Sequence, residues 1–319
     1  IDEEAFEEGD GAGLFSDGAT IRNVRFARFL GHALIINRPT IVEDCTFEEI
    51  ESTAIAYMLD AEPFEIRRSM FRDVRNIAIA GYSSGTTTES SIIERNLFHR
   101  IGTEEGYGGN GPWHAAGVIV FQATPAPATT IIRLNRFIET GYAGVILGSD
   151  GHRVERNVFV RTMATLNDGA AVYTNCNASI ITENIVLDTI GNLETSHPWL
   201  PMGHGIWPEF LEDFRDSEIN FNTVVSNNGH GIFLPGNYDC TIDGNVAIDN
   251  RLAGLHLDGW DGDTTPQNHM IRGNILASVA PDRRLVLEEN LNEWYLPPFE
   301  EPDPIALEYT GAMDFGSMS

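Results

Sequence analysis

The chain contains no lysine: its 20 basic residues are all arginine, they face 47 Asp and Glu residues, and the formal net charge is −27. Nucleic acids and anionic membranes are bound through basic surfaces, so this balance argues against both as partners. An acid-rich surface without lysine is typical of salt-adapted proteins. A GC-rich genome, which encodes Arg in place of Lys, is the alternative explanation.

Cysteine is scarce, and long hydrophobic runs are missing. The three cysteines, Cys45, Cys176 and Cys240, are odd in number, which excludes a complete disulfide framework, and we expect three reduced structural thiols. No stretch approaches the roughly 18 consecutive apolar residues of a membrane span. No GxSxG, P-loop or dinucleotide fingerprint occurs. The chain begins with Ile and shows no signal sequence, which indicates a start after a processing site or a cut.

A short phrase, Asn followed by any residue and then an apolar one, recurs along the chain. Its steps of 22 to 39 residues indicate a solenoid. At roughly 3.3 Å per strand residue, about 23 residues suffice for three short strands and three turns. We expect the Asn residues to stack at one tight turn, because Asn tolerates the left-handed region and its amides can hydrogen-bond along a column. The predicted column is Asn96, Asn135, Asn157, Asn184, Asn222, Asn245 and Asn274, preceded by Cys45 and Ser69.

A second phrase, a small residue followed by an aliphatic one and then alternation, precedes each Asn. Its alternation and its β-branched and aromatic content predict strands that stack as one parallel sheet. The Gly or Ala is expected to let the chain turn into the strand. The clearest copies begin at Gly117, Gly144, Ala171, Gly205, Gly231 and Gly254.

On these two phrases, residues 20–280 resemble the right-handed parallel β-helix superfamily of pectate lyases, polygalacturonases and several glycosidase families. The resemblance implies an all-β solenoid of about ten rungs with two loop insertions. Residues 1–19 are expected to form a leader or cap, and residues 281–319 an irregular acidic tail that packs on the helix or caps it. In that superfamily the Gly-aliphatic strand is the first of a rung, and the Asn turn lies between the second and third. The substrate cleft runs along the first sheet, and the proteins are extracellular or periplasmic.

Two insertions, residues 102–116 and 191–204, lengthen the spacing, and each precedes a first-sheet strand. They should therefore leave the helix at the same turn. Long loops on a regular scaffold are frequent binding sites. Both insertions are rich in Trp, His and Pro, so we expect Trp113, His114 and Trp199 to border a substrate groove.

The outward positions of the first-sheet strands form an aromatic row that predicts the floor of this groove. If the aliphatic residue after Gly or Ala points inward, Tyr173, Trp207, Phe233 and His256 point outward, and Asn175 does so two residues further on. Aromatic faces beside polar groups suit pyranose rings, and an exposed row of this kind is unusual on a solvated sheet. The alternative is that the tail or the insertions cover the row as a second core.

Glu209 is the best catalytic candidate, because it ends a Gly-Ile-Trp strand much as a carboxylate ends such strands in the β-helical glycoside hydrolases that the chain resembles. A carboxyl beside Trp207 is expected to have a raised pKa and to act as a general acid. Asp258 occupies the same position two rungs on. At about 4.8 Å per rung the two carboxyls would be roughly 9–10 Å apart, near the inverting-glycosidase range. Asp168, before the Tyr173 strand, is the alternative partner.

His204 and His230 share the frame Gly-His-Gly-Ile and should stack beside the cleft, where they could bind substrate or act as acid or base near neutral pH. Their spacing matches no strong metal-ligand motif. Residues 258–263 contain three Asp residues within six positions and resemble part of a calcium loop. The pattern is incomplete, so Ca²⁺ is the one cofactor considered and none is predicted.

Three functions remain open at this point. The first is a glycoside hydrolase acting on a polysaccharide or oligosaccharide with Glu209 as acid or base. The second is a polysaccharide lyase or uronate epimerase, with His or Tyr as base and Arg215 or another Arg neutralising the uronate. Several such enzymes of this fold use Lys for that task, so the absence of Lys counts against this reading. The third is a non-catalytic glycan-binding or surface β-helix.

Overall fold

The computed structural model describes residues 13–58, 61, 63–83, 89–105, 114–122, 129–194, 202–209, 215–236, 239–258, 268–278 and 284–289. These residues form 31 strands, numbered here in chain order, and no helix. The strands belong to three parallel sheets of 11, 10 and 10 strands. No described segment is a helix long and apolar enough to cross a membrane.

The first sheet contains every third strand from the start of the described chain. Its strands are β1 (Leu14–Asp17), β4 (Leu34–Arg38), β7 (Thr53–Tyr57), β10 (Ile77–Ser83), β13 (Val118–Gln122), β16 (Val145–Leu147), β19 (Gly169–Thr174), β22 (Gly203–Pro208), β25 (Ile232–Pro235), β28 (Ala253–Asp258) and β31 (Arg284–Glu289).

The other two sheets share the remaining strands. The second sheet is β2 (Thr20–Arg22), β5 (Ile41–Glu43), β8 (Glu65–Arg67), β11 (Ser91–Glu94), β14 (Thr130–Arg133), β17 (Arg153–Glu155), β20 (Ile180–Thr182), β23 (Glu218–Asn220), β26 (Thr241–Asp243) and β29 (Met270–Arg272). The third sheet is β3 (Arg25–Ala27), β6 (Thr46–Ile50), β9 (Met70–Val74), β12 (Leu97–Ile101), β15 (Arg136–Thr140), β18 (Val158–Val160), β21 (Ile185–Leu187), β24 (Thr223–Val225), β27 (Val246–Ile248) and β30 (Ile275–Ala277).

Each strand pairs in parallel with the strand three positions later, so three consecutive strands make one rung of a β-helix. The predicted all-β solenoid of about ten rungs is confirmed, with β31 added to the first sheet. β1 lies within the segment predicted as a leader and β31 within the predicted tail, so the first sheet reaches into both. Both insertions run from the third sheet to the first, as predicted: residues 102–117 join β12 to β13, and residues 188–202 join β21 to β22.

The coil interior is filled by the residues that the repeat predicts to point inward. On the third sheet these are six Phe residues whose neighbouring rings stack with centroids 4.5 to 4.9 Å apart. Rung spacing sets this distance, and the stack buries a large apolar area in each rung. The six are Phe26, Phe47, Phe71, Phe98, Phe137 and Phe159.

The Asn column is confirmed between the second and third strands of the rungs. In its centre, Asn157 Oδ1 accepts hydrogen bonds from the backbone amide of Asn135 at 2.9 Å and from its Nδ2 at 3.0 Å. Asn157 Nδ2 donates to the Ile132 carbonyl at 2.9 Å and to Asn184 Oδ1 at 3.1 Å. The same pattern runs from Asn96 to Asn274. The column therefore satisfies the buried backbone groups of each turn.

Of the two reasons given for Asn in the column, the amide hydrogen bonds are confirmed and the left-handed conformation is wrong. The residue with positive φ is the one before each column residue, as at Leu134 (φ 57°), Arg156 (57°) and Glu183 (56°). Asn is selected instead for its amide, which accepts and donates along the column. The left-handed position tolerates many side chains because they point to solvent at the turn.

The glycines before the first-sheet strands are also needed for a different reason than predicted. A Cβ on Gly144 would lie 2.4 Å from Phe159 Cδ1, and one on Gly117 would lie 2.6 Å from Phe137 Cδ1. Neither glycine has a positive φ. The small residue therefore makes room for the stacked Phe rings rather than allowing a special turn.

Arginine side chains cover carboxylates on the outer faces of the second and third sheets. Glu43 contacts Arg22, Arg67 and Arg68, and its side chain is 2% exposed. Glu48 on the third sheet contacts Arg25 and Arg72 in the same way, and the hydrogen bond from Arg72 is the main cause that lowers the pKa of Glu48. These ladders of opposite charge place the basic residues away from most of the first sheet.

Candidate functional site

The predicted aromatic row exists, but it is not exposed. Tyr173 pairs with Trp207 in register, and Phe233 pairs with His256, so the four residues share one column on the outer face of the first sheet. Their exposed fractions are only 3%, 2%, 7% and 4%. The prediction of an open aromatic floor is therefore wrong, and the alternative of a second core is correct.

The second core forms because residues from the turns between the third and first sheets fold over the row. Tyr142, Met163 and Met202 come from such turns and pack with the aromatic row in one cluster. Tyr173 contacts Trp207 edge to face, with ring centroids 5.1 Å apart. Strand alternation shows which side chains point outward, but it does not show what covers them.

His204 and His230 stack on adjacent rungs as predicted, with ring centroids 5.1 Å apart and an interplanar angle of 10°. Both are buried, which argues against the predicted roles in binding substrate or in acid–base catalysis. His204 Nδ1 accepts the backbone N–H of His230 at 2.9 Å, which places its proton on Nε2. Burial lowers the pKa of His204 to about 3, so it is neutral near pH 7. His256 continues the stack, with its Nδ1 2.9 Å from His230 Nε2.

Glu209 follows β22 and is held by its neighbours in β19. Its backbone amide donates to the Thr174 carbonyl at 2.8 Å, which continues the pairing of the two strands by one residue. The Tyr173 hydroxyl donates to Glu209 Oε2. The Asn175 side-chain amide is oriented so that its Nδ2 can donate hydrogen bonds. In this orientation Nδ2 donates to the same Glu209 oxygen at 3.1 Å. Two neutral donors thus orient one half-buried carboxyl group.

A second carboxyl group belongs to this cluster. Asp168 precedes β19 with φ 66°, a left-handed conformation that Asp adopts more readily than most residues. Its carbonyl accepts a hydrogen bond of 2.6 Å from the Tyr142 hydroxyl. The Tyr142 ring lies 6.2 Å from the ring of Tyr173, whose hydroxyl reaches Glu209. We call Asp168, Tyr142, Tyr173, Asn175 and Glu209 the Glu209 cluster.

The electrostatics of the cluster favour the neutral form of Glu209. Burial raises the pKa of Glu209, and the negative charge of Asp168 raises it further, while the hydrogen bonds from Tyr173 and Asn175 act in the opposite direction. Burial is also the main cause that raises the pKa of Tyr173 and of Tyr142 far above that of an ordinary tyrosine. Both tyrosines are therefore hydrogen-bond donors at neutral pH and not bases.

This arrangement has the parts that acid catalysis needs. Glu209 is half-buried, so it reaches solvent while desolvation keeps its proton bound at a higher pH than usual. Asp168, also half-buried, supplies a second carboxyl whose charge is felt at Glu209. Sequence reasoning found Glu209, Asp168, Asn175 and Tyr173 but missed Tyr142. The signal for Tyr142 was its place directly before a first-sheet phrase, between Gly141 and Ala143.

The structure describes the other predicted site residues to different extents. Pro235 pairs with Asp258, and extending the pairing of Ile206 with Ile232 by three residues puts Glu209 opposite Pro235. That register would place Asp258 two rungs from Glu209, which is the predicted spacing, and the Asp258 side chain falls outside the described part of the structure. His114 is half-buried, and burial lowers its pKa.

Two further predictions fall outside the described residues. Trp113 and Trp199 lie there, and so does most of the calcium-like loop, residues 259–263. Among the described residues, no group of three His, Cys, Asp or Glu side chains is arranged to hold a metal ion.

Two open clefts lie elsewhere, where the third sheet turns toward the first. One, of about 410 Å³, is lined by Arg28, Asp73 and Arg100 among others, and the other, of about 430 Å³, by Arg161 and Arg251 among others. Arg28 and Arg100 are engaged in ion pairs with neighbouring rungs. These clefts are surface grooves between charged ladders and do not include the Glu209 cluster.

Comparisons with known proteins give the fold a wider context. No curated protein matches the chain in sequence. Similar solved structures include a GH136 lacto-N-biosidase from Eubacterium ramulus, with a TM-score of 0.50 and 11% identity over 82% of this chain and 52% of that one. This chain spans about half the length of that enzyme.

Two more similar structures are less close by TM-score. The A-module of a mannuronan C-5 epimerase from Azotobacter vinelandii has a TM-score of 0.45 and 11% identity, over 89% of this chain and 80% of that one. An alginate lyase from a Paenibacillus species has a TM-score of 0.43 and 13% identity, over 88% of both chains. At such low identities these likenesses concern the fold alone.

The family comparison covers more than half of the chain. Residues 113–275 match the family described as a right handed beta helix region. This span contains the Glu209 cluster and most of the Asn column. The chain therefore belongs to the right-handed β-helix family.

Proposed function

We propose that the protein is a carbohydrate-active enzyme that hydrolyses glycosidic bonds of a polysaccharide or oligosaccharide, with Glu209 as the general acid. The observation that carries the proposal is the half-buried Glu209 carboxyl, held by Tyr173 and Asn175 beside a second carboxyl, Asp168. Glycosidases usually act through two carboxyl groups, one of which is a general acid with a raised pKa.

Each residue of the cluster has a distinct role in this proposal. Protonated Glu209 gives its proton to the glycosidic oxygen as the bond to the sugar breaks. Tyr173 and Asn175 orient the carboxyl and stabilise the carboxylate that remains, because both donate hydrogen bonds to it. Asp168 is the partner whose carboxylate activates water or stabilises the developing positive charge of the sugar. Asp258, in the same column as Glu209, is the other candidate for the partner.

A lyase or uronate epimerase is the competing activity, and the described residues favour it less. Such a reaction needs a base that removes the proton next to the uronate carboxyl. Tyr173 is buried and has a strongly raised pKa, and His204 is buried with its basic Nδ1 already accepting the backbone N–H of His230. Arg215, the suggested neutraliser, lies exposed before β23, where its backbone amide donates to Asn177 Oδ1.

The test is a screen of plant and marine polysaccharides and their oligosaccharides, read both as new reducing ends and as near-ultraviolet absorbance. Because a lacto-N-biosidase has a similar fold, the screen includes oligosaccharides as well as polysaccharides. A hydrolase releases reducing ends without absorbance, a lyase produces an absorbing unsaturated end, and a binding protein produces neither. Substrate that yields only the absorbing product would contradict the proposal, and so would the absence of any product.

Variants connect the activity to the site. Glu209→Gln should lower kcat by about 10²–10⁴-fold, because the amide cannot donate a catalytic proton. The matched control is Glu183→Gln, since Glu183 is an exposed carboxylate that pairs with Arg156 at 2.6 Å on another part of the helix. Activity should be unchanged in that control. A Glu209→Gln variant with wild-type activity would remove Glu209 from the mechanism.

A further inference from the structure

The Glu209 cluster differs from the other buried carboxylates of this protein in the kind of donor that holds it. Glu43 and Glu48 are covered by arginines, which neutralise them. Glu209 is held instead by a tyrosine hydroxyl and an amide, both uncharged. The charged group that shifts its pKa is another carboxylate, Asp168. The described surroundings of Glu209 therefore have a negative potential when the carboxyls ionise.

Few basic residues occur close in sequence to the cluster residues, and Arg215, six residues after Glu209, is the nearest one to Glu209 along the chain. Both insertions, residues 102–116 and 191–204, contain neither Arg nor Lys, and the same is true of residues 205–214, which carry Glu212 and Asp213 after Glu209. On the first-sheet strands, Arg occurs only in β4 and β31, at Arg38 and Arg284. Neither strand is adjacent to β19 or β22 in the sheet.

We infer that the Glu209 site accepts a neutral glycan and discriminates against sugars that carry a carboxylate or sulfate next to the bond being cleaved. This inference rests on the proposed function and specifies its substrate class. A uronate bound beside Glu209 and Asp168 would bring a second negative charge into a partly desolvated cluster held by neutral donors, and a third at a pH where Glu209 is ionised. Like charges at an interface disfavour binding strongly, whereas hydroxyl groups can hydrogen-bond to the same carboxyls.

The experiment uses one glycan in two chemical forms. The glycan with the highest turnover in the screen is compared with a form in which a measured fraction of its primary alcohols is oxidised to carboxylates. If the best substrate is a polyuronate, it is compared instead with a form in which its carboxyl groups have been reduced to alcohols. We expect kcat/KM to be at least about tenfold lower for the carboxylated form in dilute buffer, and the ratio to shrink in 0.5 M salt, since salt screens the repulsion.

A binding measurement separates local from overall repulsion. Neutral and carboxylated oligosaccharides are titrated by calorimetry into the wild type, Glu209→Gln and Glu183→Gln proteins. The titrations are made at a pH above the raised pKa of Glu209, where Glu209 is ionised, so both variants remove one negative charge but only the first removes it from the cluster. The ratio of the Kd for the carboxylated sugar to the Kd for the neutral sugar is the affinity gap. This ratio should decrease in Glu209→Gln and stay unchanged in Glu183→Gln.

The outcomes distinguish this inference from the proposed function. Hydrolysis of the carboxylated form at an equal or higher rate would overturn the neutral preference while leaving the hydrolase intact. Absence of any turnover would contradict the hydrolase, and the titrations would still decide charge preference. An affinity gap that narrows equally in both variants, or no binding of either sugar, would overturn the inference.

Discussion

Replacing Asn157 by alanine should cost far more stability than a single surface substitution. Asn157 is fully buried at the centre of the Asn column. Its side chain makes four hydrogen bonds of 2.9 to 3.1 Å, to Asn135, Ile132 and Asn184. Alanine removes all four and fills none of the space that the amide occupied.

The magnitude follows from the groups left without partners. The backbone N–H of Asn135 and the carbonyl of Ile132 both lose the partner that Asn157 gives them inside the protein. A buried polar group without a partner costs about 1–3 kcal/mol, so the free energy of unfolding should fall by roughly 2–6 kcal/mol. Asn135 Nδ2 retains its bond to the Ile93 carbonyl at 2.8 Å, which limits the loss.

The measurement is urea unfolding followed by far-ultraviolet circular dichroism, with Asn228→Ala as the matched control. Asn228 lies only partly buried at a turn, where it accepts one hydrogen bond of 2.9 Å from the exposed Arg251. Its removal should change stability by no more than about 0.5 kcal/mol. If Asn157→Ala and Asn228→Ala have equal unfolding free energies, the hydrogen-bonded column does not stabilise the fold as argued.

Three further predictions concern thiols, salt and pH. Cys45, Cys176 and Cys240 are buried and burial raises the pKa of each, so a thiol reagent should label none in the native protein and all three in urea; native labelling would contradict this. With a net charge of −27, the protein should melt at a higher temperature in molar chloride than in dilute buffer, because salt screens the repulsion between carboxylates. A melting temperature that stays constant or falls as salt is added would contradict the interpretation that the protein is adapted to salt. As a general acid, Glu209 works only when protonated, so activity should fall as pH rises through its raised pKa. Asp168→Asn removes a charge that raises this pKa, so the alkaline limb of the residual pH–rate profile should move to lower pH; an unmoved limb would show that Asp168 does not act on Glu209.

The sequence predicted best those features in which equivalent residues of successive rungs stack on one another. The Asn column, the inward Phe residues and the alignment of Tyr173 with Trp207 depend on the spacing within a rung and on the two-residue alternation of strands. Glu209 was located by the same register, since it continues the pairing of β22 with β19.

What the sequence could not predict depends on contacts between segments far apart in the chain. The aromatic row is buried because Tyr142, Met163 and Met202 fold over it, and no periodic signal in the strands reveals that cover. The small residue before each strand was interpreted as a turn device, although Gly144 is needed for the bulk of Phe159. Asp168 was recognised only as an alternative partner, because contacts made by two other residues connect it to Glu209. Tyr142 donates a hydrogen bond to the Asp168 carbonyl, and Tyr173 donates one to Glu209.

The most direct test of the site is a crystal structure of the Glu209→Gln variant soaked with an oligosaccharide that the wild-type protein cleaves. We expect one glycosidic oxygen within about 3.2 Å of the side chain at position 209, with Asp168 or Asp258 facing the same sugar. The account would be contradicted if no sugar lay beside residue 209 and the glycan were bound in one of the two clefts, lined by Arg28 and Arg100 or by Arg161 and Arg251.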